Sequence, residues 1–525
     1  MKKINLLSAL IILTFSVKAQ SPNIILIIAD DLGTDALNGF SSQNVLPTTP
    51  TLDSLRANGI AFTNAWAAPK CTPTRASIMS GLHGSKTGVL GTPGNLDLTY
   101  TSILNTLKTE TNDAYAKAVI GKWHISQPVD VMHPFDQGSD YYMGFMEAFP
   151  TDYSAWDKTE NNITAVDSSY VTTTITDRAI TWTSQQTKPW LLWLAHAAPH
   201  TPFHVPPSHM YTIRNPENNN TRKFLAMIES LDYEINRLLN TLNSAQKENT
   251  LIIFIGDNGT GGTVLRDYPT GHGKSTIYEG GIRVPMIVCG KGVTRKGEVE
   301  TALVNVLDIH ATILEVTGSE LQGGLNNSLS FHHLLAGTTG VSRDYNFSEI
   351  NEGGEYSWAI RNNQYKLIEF EDGTQELYDL VADQFEFSPK DISTLSPAVQ
   401  AIKEDLEREA ETRRTSWSCR DHIQNGDETG IDCGGSSCNP CTNSIGGIDN
   451  FKVELHPNPS TGKLTIESET PVSIIRIYNS IGQEVYRKND IGRRAELDLA
   501  SLKADVYHVE IQTNSTSLYR VILKL

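Results

Sequence analysis

Four short apolar runs, residues 24–29, 118–120, 191–195 and 251–255, restrict the fold of this chain more than any other feature. A run of that length without polar alternation reads as a strand buried on both faces, and helix-like stretches separate each run from the next. The alternation predicts the α/β class, with helices on both faces of a large mixed, mainly parallel sheet. Within one intervening stretch Leu225, Ile228, Leu231, Ile235, Leu238 and Leu242 recur at intervals of three and four, which predicts an amphipathic helix over 224–242.

The 525 residues, 39% hydrophobic and 20% charged, are globular in composition and too many for one ordinary domain. The sequence divides into a leader (1–19), a catalytic domain (20–329), a smaller α+β subdomain (330–416), a Cys-rich segment with linker (417–450) and a C-terminal module (451–525). The leader reads Lys2-Lys3, an apolar stretch over 4–17, then Lys18-Ala19, the pattern of a secretory signal peptide too short to span a bilayer. No later apolar run approaches the roughly 20 residues a spanning helix needs, so no integral membrane segment is expected. In the subdomain, 357–361 and 365–370 read as strands around Asn362-Asn363, and 399–413 as a closing helix. The C-terminal module alternates apolar and polar residues over 463–467, 474–478 and 506–511, as a small β-sandwich does.

Net charge is −17, and loss of the lysine-bearing leader makes the chain more acidic still. Nucleic acid is excluded as a partner, because phosphate binding needs a basic face. An anionic substrate must therefore be held by local cations. Of six cysteines, Cys419, Cys433, Cys438 and Cys441 cluster in the Cys-rich segment, where export favours two disulfides of open connectivity over a four-thiolate zinc site. Cys289, in the strand-like 286–289, reads as a buried core thiol.

The apolar runs end in polar clusters, and ligand sites in parallel sheets lie beyond the carboxyl ends of the strands. Asp30-Asp31 follows the first run, and Asp257-Asn258 the last; three carboxylates and an amide oxygen suit calcium or magnesium. Gly121-Lys122-Trp123-His124 follows the second run and His196 to His200 the third. Gly271-His272-Gly273-Lys274-Ser275-Thr276 comes later, before Tyr278-Glu279-Gly280-Gly281-Ile282-Arg283-Val284-Pro285. Between the first and second runs stands Cys71-Thr72-Pro73-Thr74-Arg75, then Ser80-Gly81. Pro73 suits the first turn of a helix and brings Arg75 within one turn, so residue 71 would sit where helix N–H groups and a cation favour an anion.

The Cys-x-Pro-x-Arg pattern, with the other clusters in this order over 23–285, resembles the formylglycine-dependent (type I) sulfatases of the alkaline-phosphatase-like superfamily. The resemblance implies an alkaline-phosphatase-like sandwich and oxidation of Cys71 to formylglycine, whose aldehyde hydrates to a gem-diol nucleophile. A formylglycine-generating or anaerobic sulfatase-maturating enzyme would be a partner. Asp30, Asp31, Asp257 and Asn258, with residue 71, match the ligands of one Ca2+; a thiolate is a poor calcium ligand, which also favours the modification. Arg75 and Lys122 match cations that orient the hydrate and neutralise sulfate, His124 the base at the hydrate, and His200 and Lys274 the groups at the bridging oxygen and sulfate. Lys122, His200 and Lys274 thus also bind substrate.

The implied function is a secreted calcium-dependent sulfatase acting on sulfated carbohydrates through a sulfated enzyme intermediate and releasing inorganic sulfate. A phosphodiesterase or phosphonate hydrolase of the same superfamily, or a catalytically silent carbohydrate-binding surface protein, is the alternative. His133, Asp140, Tyr141, His204 and Arg266 flank the motifs in loop-like stretches and are candidate pocket residues. Tyr365-Lys366-Leu367 and Glu376-Leu377-Tyr378-Asp379 are also similar to sulfatases. Pro457-Asn458-Pro459-Ser460-Thr461-Gly462, Ile477-Tyr478-Asn479-Ser480-Ile481-Gly482, Val506-Tyr507 and Leu523-Lys524-Leu525 resemble type IX secretion sorting domains, although Ala504-Asp505 stands where a glycine is usual. That implies passage across an outer membrane, then release or surface anchoring.

Overall fold

The computed structural model describes residues 21–319, 327–415 and, with breaks at 457–461, 480–483, 501, 504 and 514–516, residues 453–524. The leader, the four clustered cysteines and the linker lie outside the described residues. The chain divides into two compact units, Met1–Cys438 and Asn439–Leu525.

The first unit is built on a ten-stranded sheet. Its strands in chain order are β1 (Asn23–Ala29), β2 (Gly59–Phe62), β4 (Ala116–Lys122), β5 (Tyr141–Phe145), β6 (Trp156–Glu160), β7 (Ile163–Asp167), β8 (Trp190–Ala195), β9 (Thr250–Gly256), β10 (Met286–Gly290) and β11 (Glu298–Glu300); a short pair, β3 (Ala65–Trp66) with β12 (Val304–Asn305), stands apart. The order across the sheet is β11-β2-β10-β9-β1-β8-β4-β5-β6-β7. The central strands β9, β1, β8, β4 and β5 run parallel, and antiparallel pairs flank them. The four predicted runs are β1, β4, β8 and β9. β4 is longer than its apolar run because Lys117 and Lys122 lie within it, each ammonium buried against carboxylates.

Side chains alternate between the two faces of β1, and both faces are buried. Ile24, Leu26 and Ile28 join a core with Ala76, Ile78 and Met79 of the helix Cys71–Ser80, whereas Ile25 and Ile27 join one with Ile228, Leu231 and Ile235 of the helix Asn220–Thr241. That second helix is the amphipathic segment of the sequence; it begins four residues earlier, at Asn220, and is capped by Asn219, whose side chain accepts from Arg222 N–H.

The small subdomain is a four-stranded antiparallel meander, β13 (Asn346–Glu352), β14 (Glu355–Arg361), β15 (Tyr365–Glu369) and β16 (Gln375–Asp379), covered by the helix Pro397–Thr415. The second unit contains β17 (Val453–His456), β18 (Lys463–Tyr478), β19 (Glu484–Asp498), β20 (Asp505–Gln512) and β21 (Ser517–Lys524). They form one five-stranded antiparallel sheet. The segments 463–467 and 474–478, read above as separate strands, are two parts of β18, and register shifts between Glu467 and Ile474 mark the break. Leu464 and Ile466 from the first part share an apolar cluster with Ile475 and Ile477 from the second.

Candidate active site

Strand register brings the polar clusters together. Ala29 pairs with Gly256, Ile28 with Ala195 and Gly121 with Ala195, so the residues following these positions converge at one end of the sheet. Gly121 has φ 109°, and a Cβ there would lie 1.9 Å from Ala195 O; glycine alone lets β4 approach β8 so closely just before Lys122.

Asp30, Asp31, Asp257 and Asn258 are all buried. Asp31, at φ 66°, donates its N–H to Asp257 Oδ1 at 3.0 Å. Asn258 Nδ2 donates to Asp31 Oδ1 and to Gly259 O, each at 2.9 Å, while its Oδ1 is buried without a partner. Ligand atoms of Asp30, Cys71 and Asp257 lie within 4.8 Å of one another, as do those of Asp30, Asp31 and His200. Lys122 Nζ sits 3.0 and 2.8 Å from the two Asp30 oxygens. Arg75 donates from Nε and Nη2 to Asp257 Oδ2 at 3.1 and 2.7 Å, and from Nη1 to Lys122 O at 3.1 Å. Lys274 Nζ is 2.6 Å from Asp31 Oδ1.

Burial alone would raise the Asp30 carboxyl, but Lys122, His200 and Arg75 hold it below the ordinary carboxylate range. Asp257 shows the opposite balance, as burial and the Asp30 charge push it up to about 6 against the pull of Arg75. These residues fit a divalent calcium ion on two counts. The donors are hard oxygens, including the orphaned Asn258 Oδ1. Moreover, three carboxylates are already balanced by Arg75, Lys122 and Lys274, so a divalent ion leaves a positive site for an anionic ester.

Cys71 opens a helix in which every residue is buried, and Pro73 lies in its first turn. Lys70, at the N-cap, supplies no side-chain cap, so residue 71 stands at the positive end of the helix. His124 Nδ1 is 3.3 Å from Cys71 Sγ. Burial, reinforced by Lys122 and Arg75, lowers the imidazole to about 2, so the ring is neutral. Opposite, His200 Nδ1 donates to Thr201 O at 2.8 Å, which leaves Nε2 facing Lys274 Nζ at 3.2 Å and Asp31 Oδ2 at 3.5 Å. Despite its burial, Lys274 is held in its charged form chiefly by Asp31.

Four neighbours of this site were not singled out in the sequence. Thr72 Oγ1, 3.3 Å from His124 Nδ1, accepts from Thr92 Oγ1 at 3.0 Å. Tyr153 Oη lies 2.8 Å from both Ala197 O and His200 O and so fixes the loop that carries His200. The half-exposed Phe149 ring stacks on His200 at 4.9 Å and 20°. Thr72 lies inside the Cys-x-Pro motif; the other three have no periodic signal.

The structure gives each of the candidate pocket residues other contacts. His133 is buried in a short helix, accepts from Trp123 Nε1 at 3.2 Å and bonds Leu96 O through Nε2 at 2.8 Å, so it supports Trp123 instead of facing substrate. Asp140 accepts from Lys117 at the amino end of β4, and Tyr141 is the first residue of β5, its hydroxyl on Glu160; both are at the wrong end of the sheet. His204 is held by Pro202 O and Tyr170 Oη, and Arg266 by Val45 O and Gln43.

Comparison with known proteins agrees with this geometry. The Sulfatase family matches residues 22–319, the N-sulphoglucosamine sulphohydrolase C-terminal family residues 271–415, and the Secretion system C-terminal sorting domain residues 454–524. Arylsulfatase G of Rattus norvegicus is 27% identical over 361 residues, 58% of this chain and 66% of that protein, so the chain spans just under two thirds of this relative. A Sulfatase of Formosa agariphila is 26% identical over 440 residues, 70% of this chain and 83% of its own length. The structure of Ps i-CgsB in complex with k-i-k-neocarrahexaose superposes with a TM-score of 0.66 at 26% identity, covering 75% of this chain and 93% of that one. The large sheet and its flanking helices are alkaline-phosphatase-like, and the chain belongs to the sulfatase family, with a type IX secretion sorting domain at its C-terminal end.

Proposed function

We propose that this protein is an exported sulfatase that hydrolyses sulfate esters of sulfated carbohydrates and releases inorganic sulfate, with residue 71 as formylglycine and one Ca2+ held by Asp30, Asp31, Asp257, Asn258 and residue 71. The observation that carries the reading is the position of residue 71, at a helix N-terminus between a buried hard-oxygen cluster and a neutral histidine. Cys71 Sγ marks where the oxygens of the hydrated aldehyde would lie. When present, calcium would supply positive charge beside the reacting oxygens, and the hydrate a nucleophilic hydroxyl with a second hydroxyl from which the ester can be released.

The chain's own side chains divide the remaining work. Arg75, fixed by Asp257 and Lys122 O, holds the metal loop and the helix of residue 71 in one geometry. Lys122 and Lys274 disperse the charge that grows on the sulfate oxygens in the transition state. His200 Nε2 is the ring nitrogen positioned to give the departing alcohol its proton, and His124 Nδ1 to take one from the residue 71 side chain; each is worth about 10²- to 10⁴-fold.

The match to Ps i-CgsB, solved with k-i-k-neocarrahexaose, supports a carbohydrate substrate. The sorting domain supports delivery to the cell surface or beyond, with residues 1–19 as the leader and maturation of residue 71 by a dedicated enzyme. Among the described residues no helix is long and apolar enough to cross a membrane.

The test pairs chemistry with turnover. The peptide containing residue 71 should be about 18 Da lighter than encoded, and the protein should cleave aryl sulfate much faster than aryl phosphate. Sulfate release from defined sulfated oligosaccharides then identifies the sugar. Unmodified cysteine in fully active protein overturns the nucleophile, faster phosphate cleavage overturns the reaction, and aryl sulfate turnover without any carbohydrate cleavage overturns the substrate class.

A further inference from the structure

The mechanism above leaves Tyr278 to Pro285 without a role, yet the turn Glu279–Ile282 within it touches three parts of the active site. Gly259, next to Asn258, donates its N–H to Gly281 O at 2.8 Å, and Ala67, on the approach to Cys71, donates to Ile282 O at 2.8 Å. The third part is the Lys274 loop: a Cβ on Gly281 would lie 2.1 Å from Thr276 O and 2.6 Å from Gly273 O. No side chain fits there, so backbone is packed directly on backbone.

The other side of this turn is gripped by the small subdomain. Glu386 accepts the Glu279 N–H, and Lys366 Nζ lies between the two carboxylates, 3.3 Å from Glu279 and 2.7 Å from Glu386. Arg361 Nη1 reaches Glu279 at 3.6 Å, and the Glu279, Lys366 and Glu386 side chains are 0% exposed. Lys366 Nζ also sits 5.1 Å from the ring centre of Trp66, the residue before Ala67. Glu386 holds φ 60°, a conformation uncommon outside glycine, which persists where surrounding structure fixes it. Ile277 and Ile282 complete the joint by packing with Ala359, Ile368 and Tyr378.

We propose that the Glu279–Ile282 turn is a keystone through which the small subdomain sets the positions of Asn258 and Lys274, with Glu386 and Lys366 as positioning residues. The subdomain is thereby part of the active-site machinery. The inference rests on the calcium and sulfate-ester reading above.

The experiment measures calcium binding to metal-free, matured full-length protein by titration calorimetry, together with kcat and KM on an aryl sulfate. Glu386→Ala removes the acceptor of the Glu279 N–H and should weaken calcium binding about 10- to 100-fold, the usual effect of losing support behind a metal ligand. KM should rise with it as Lys274 loses its place. Glu386→Gln keeps an oxygen for that N–H and should bind calcium within about 3-fold of wild type, a rescue that general loss of folding would not produce. Leu406→Ala, in the subdomain core away from the turn, should lower Tm and leave calcium affinity unchanged. Lys366→Met, measured in the same way, decides the matter if Glu386→Ala does not fold. Folded positioning variants that bind calcium as wild type does, or an equal loss in Leu406→Ala, overturn the keystone alone. Wild-type protein that neither binds calcium nor cleaves sulfate esters overturns the reading on which it rests.

Discussion

Two buried charge clusters lie in the first unit, and they are finished differently. Around Glu279, carboxylates of Glu279 and Glu386 close on Lys366 and Arg361, and the side chains are sealed from solvent. Around Asp30, the carboxylates meet Arg75, Lys122 and Lys274, and His124, His200 and Lys274 retain some exposure; both clusters hold buried atoms without a hydrogen-bond partner, Asn258 Oδ1 here and both Glu279 carboxylate oxygens there, so the difference is access to solvent. A sealed cluster specifies how parts join, and its energy is spent in the resting structure. An open one leaves a cation and an anion a way to reach its charges, at a cost in stability that ligand binding offsets.

The contrast predicts that damage to the open cluster is read first in activity. Cys71→Ser should lower kcat/KM for an aryl sulfate by at least about 10³-fold, because serine lacks the second hydroxyl through which the aldehyde hydrate would release sulfate. Its Tm should stay within about 2 °C of wild type, since the helix Cys71–Ser80 keeps its packing. A Tm loss comparable to that of a core truncation would make residue 71 a structural element and erase the contrast.

Calcium should restore what the open cluster lacks. At free calcium about 100 times its dissociation constant, unfolding free energy should rise by about 2.7 kcal/mol over chelated protein. Asn258→Ala, which deletes the orphaned oxygen, should lose most of that gain. Equal stability with calcium and with chelator would mean that the cluster takes up no calcium.

Much of the open cluster was legible in the sequence because a parallel sheet has directional ends. Asp30 and Asp257 follow apolar runs, and the pairing of Ala29 with Gly256 then leaves them little choice but to meet. The same logic shows why Asp140 and Tyr141 were misplaced: closeness in sequence to a motif is not closeness to its end of the sheet. Tyr141 opens a five-residue strand, roughly 15 Å of extended chain from the carboxyl edge. Phe149, Tyr153 and Thr92 stand in irregular connections, whose course depends on tertiary packing and not on any local period. The sealed cluster was half legible: its Tyr278 to Pro285 segment was visible, but a bond from Glu279 to Glu386 spans 107 positions and announces nothing locally.

The sealed cluster should show itself in the pH dependence of stability. Burial, with the neighbouring Glu279 charge opposing Lys366, raises Glu386 to about 7. In the unfolded chain the same group titrates near its ordinary value of 4.5. Between those values the folded protein binds more protons, so this group makes stability fall as pH rises from about 4.5 to about 7, by on the order of 1 kcal/mol per pH unit. Glu386→Gln removes the titration, so the variant should gain stability relative to wild type across that window. Parallel wild-type and variant curves would show that Glu386 is ionised throughout and that Lys366 fully compensates both acids.

The smallest effect is expected at the amino end of the sheet, where Asp140 accepts from the Lys117 backbone and ammonium at 2.8 and 3.0 Å. Its side chain is 47% exposed, and Lys117 keeps a second partner in Asp113. Asp140→Asn retains an oxygen acceptor and should cost under about 1 kcal/mol, read by denaturant unfolding, with kcat and KM unchanged on both aryl sulfate and oligosaccharide. A changed KM for the oligosaccharide alone would mean that the sugar chain reaches far beyond the carboxyl edge, and that a flank discarded on geometric grounds belongs to the substrate path.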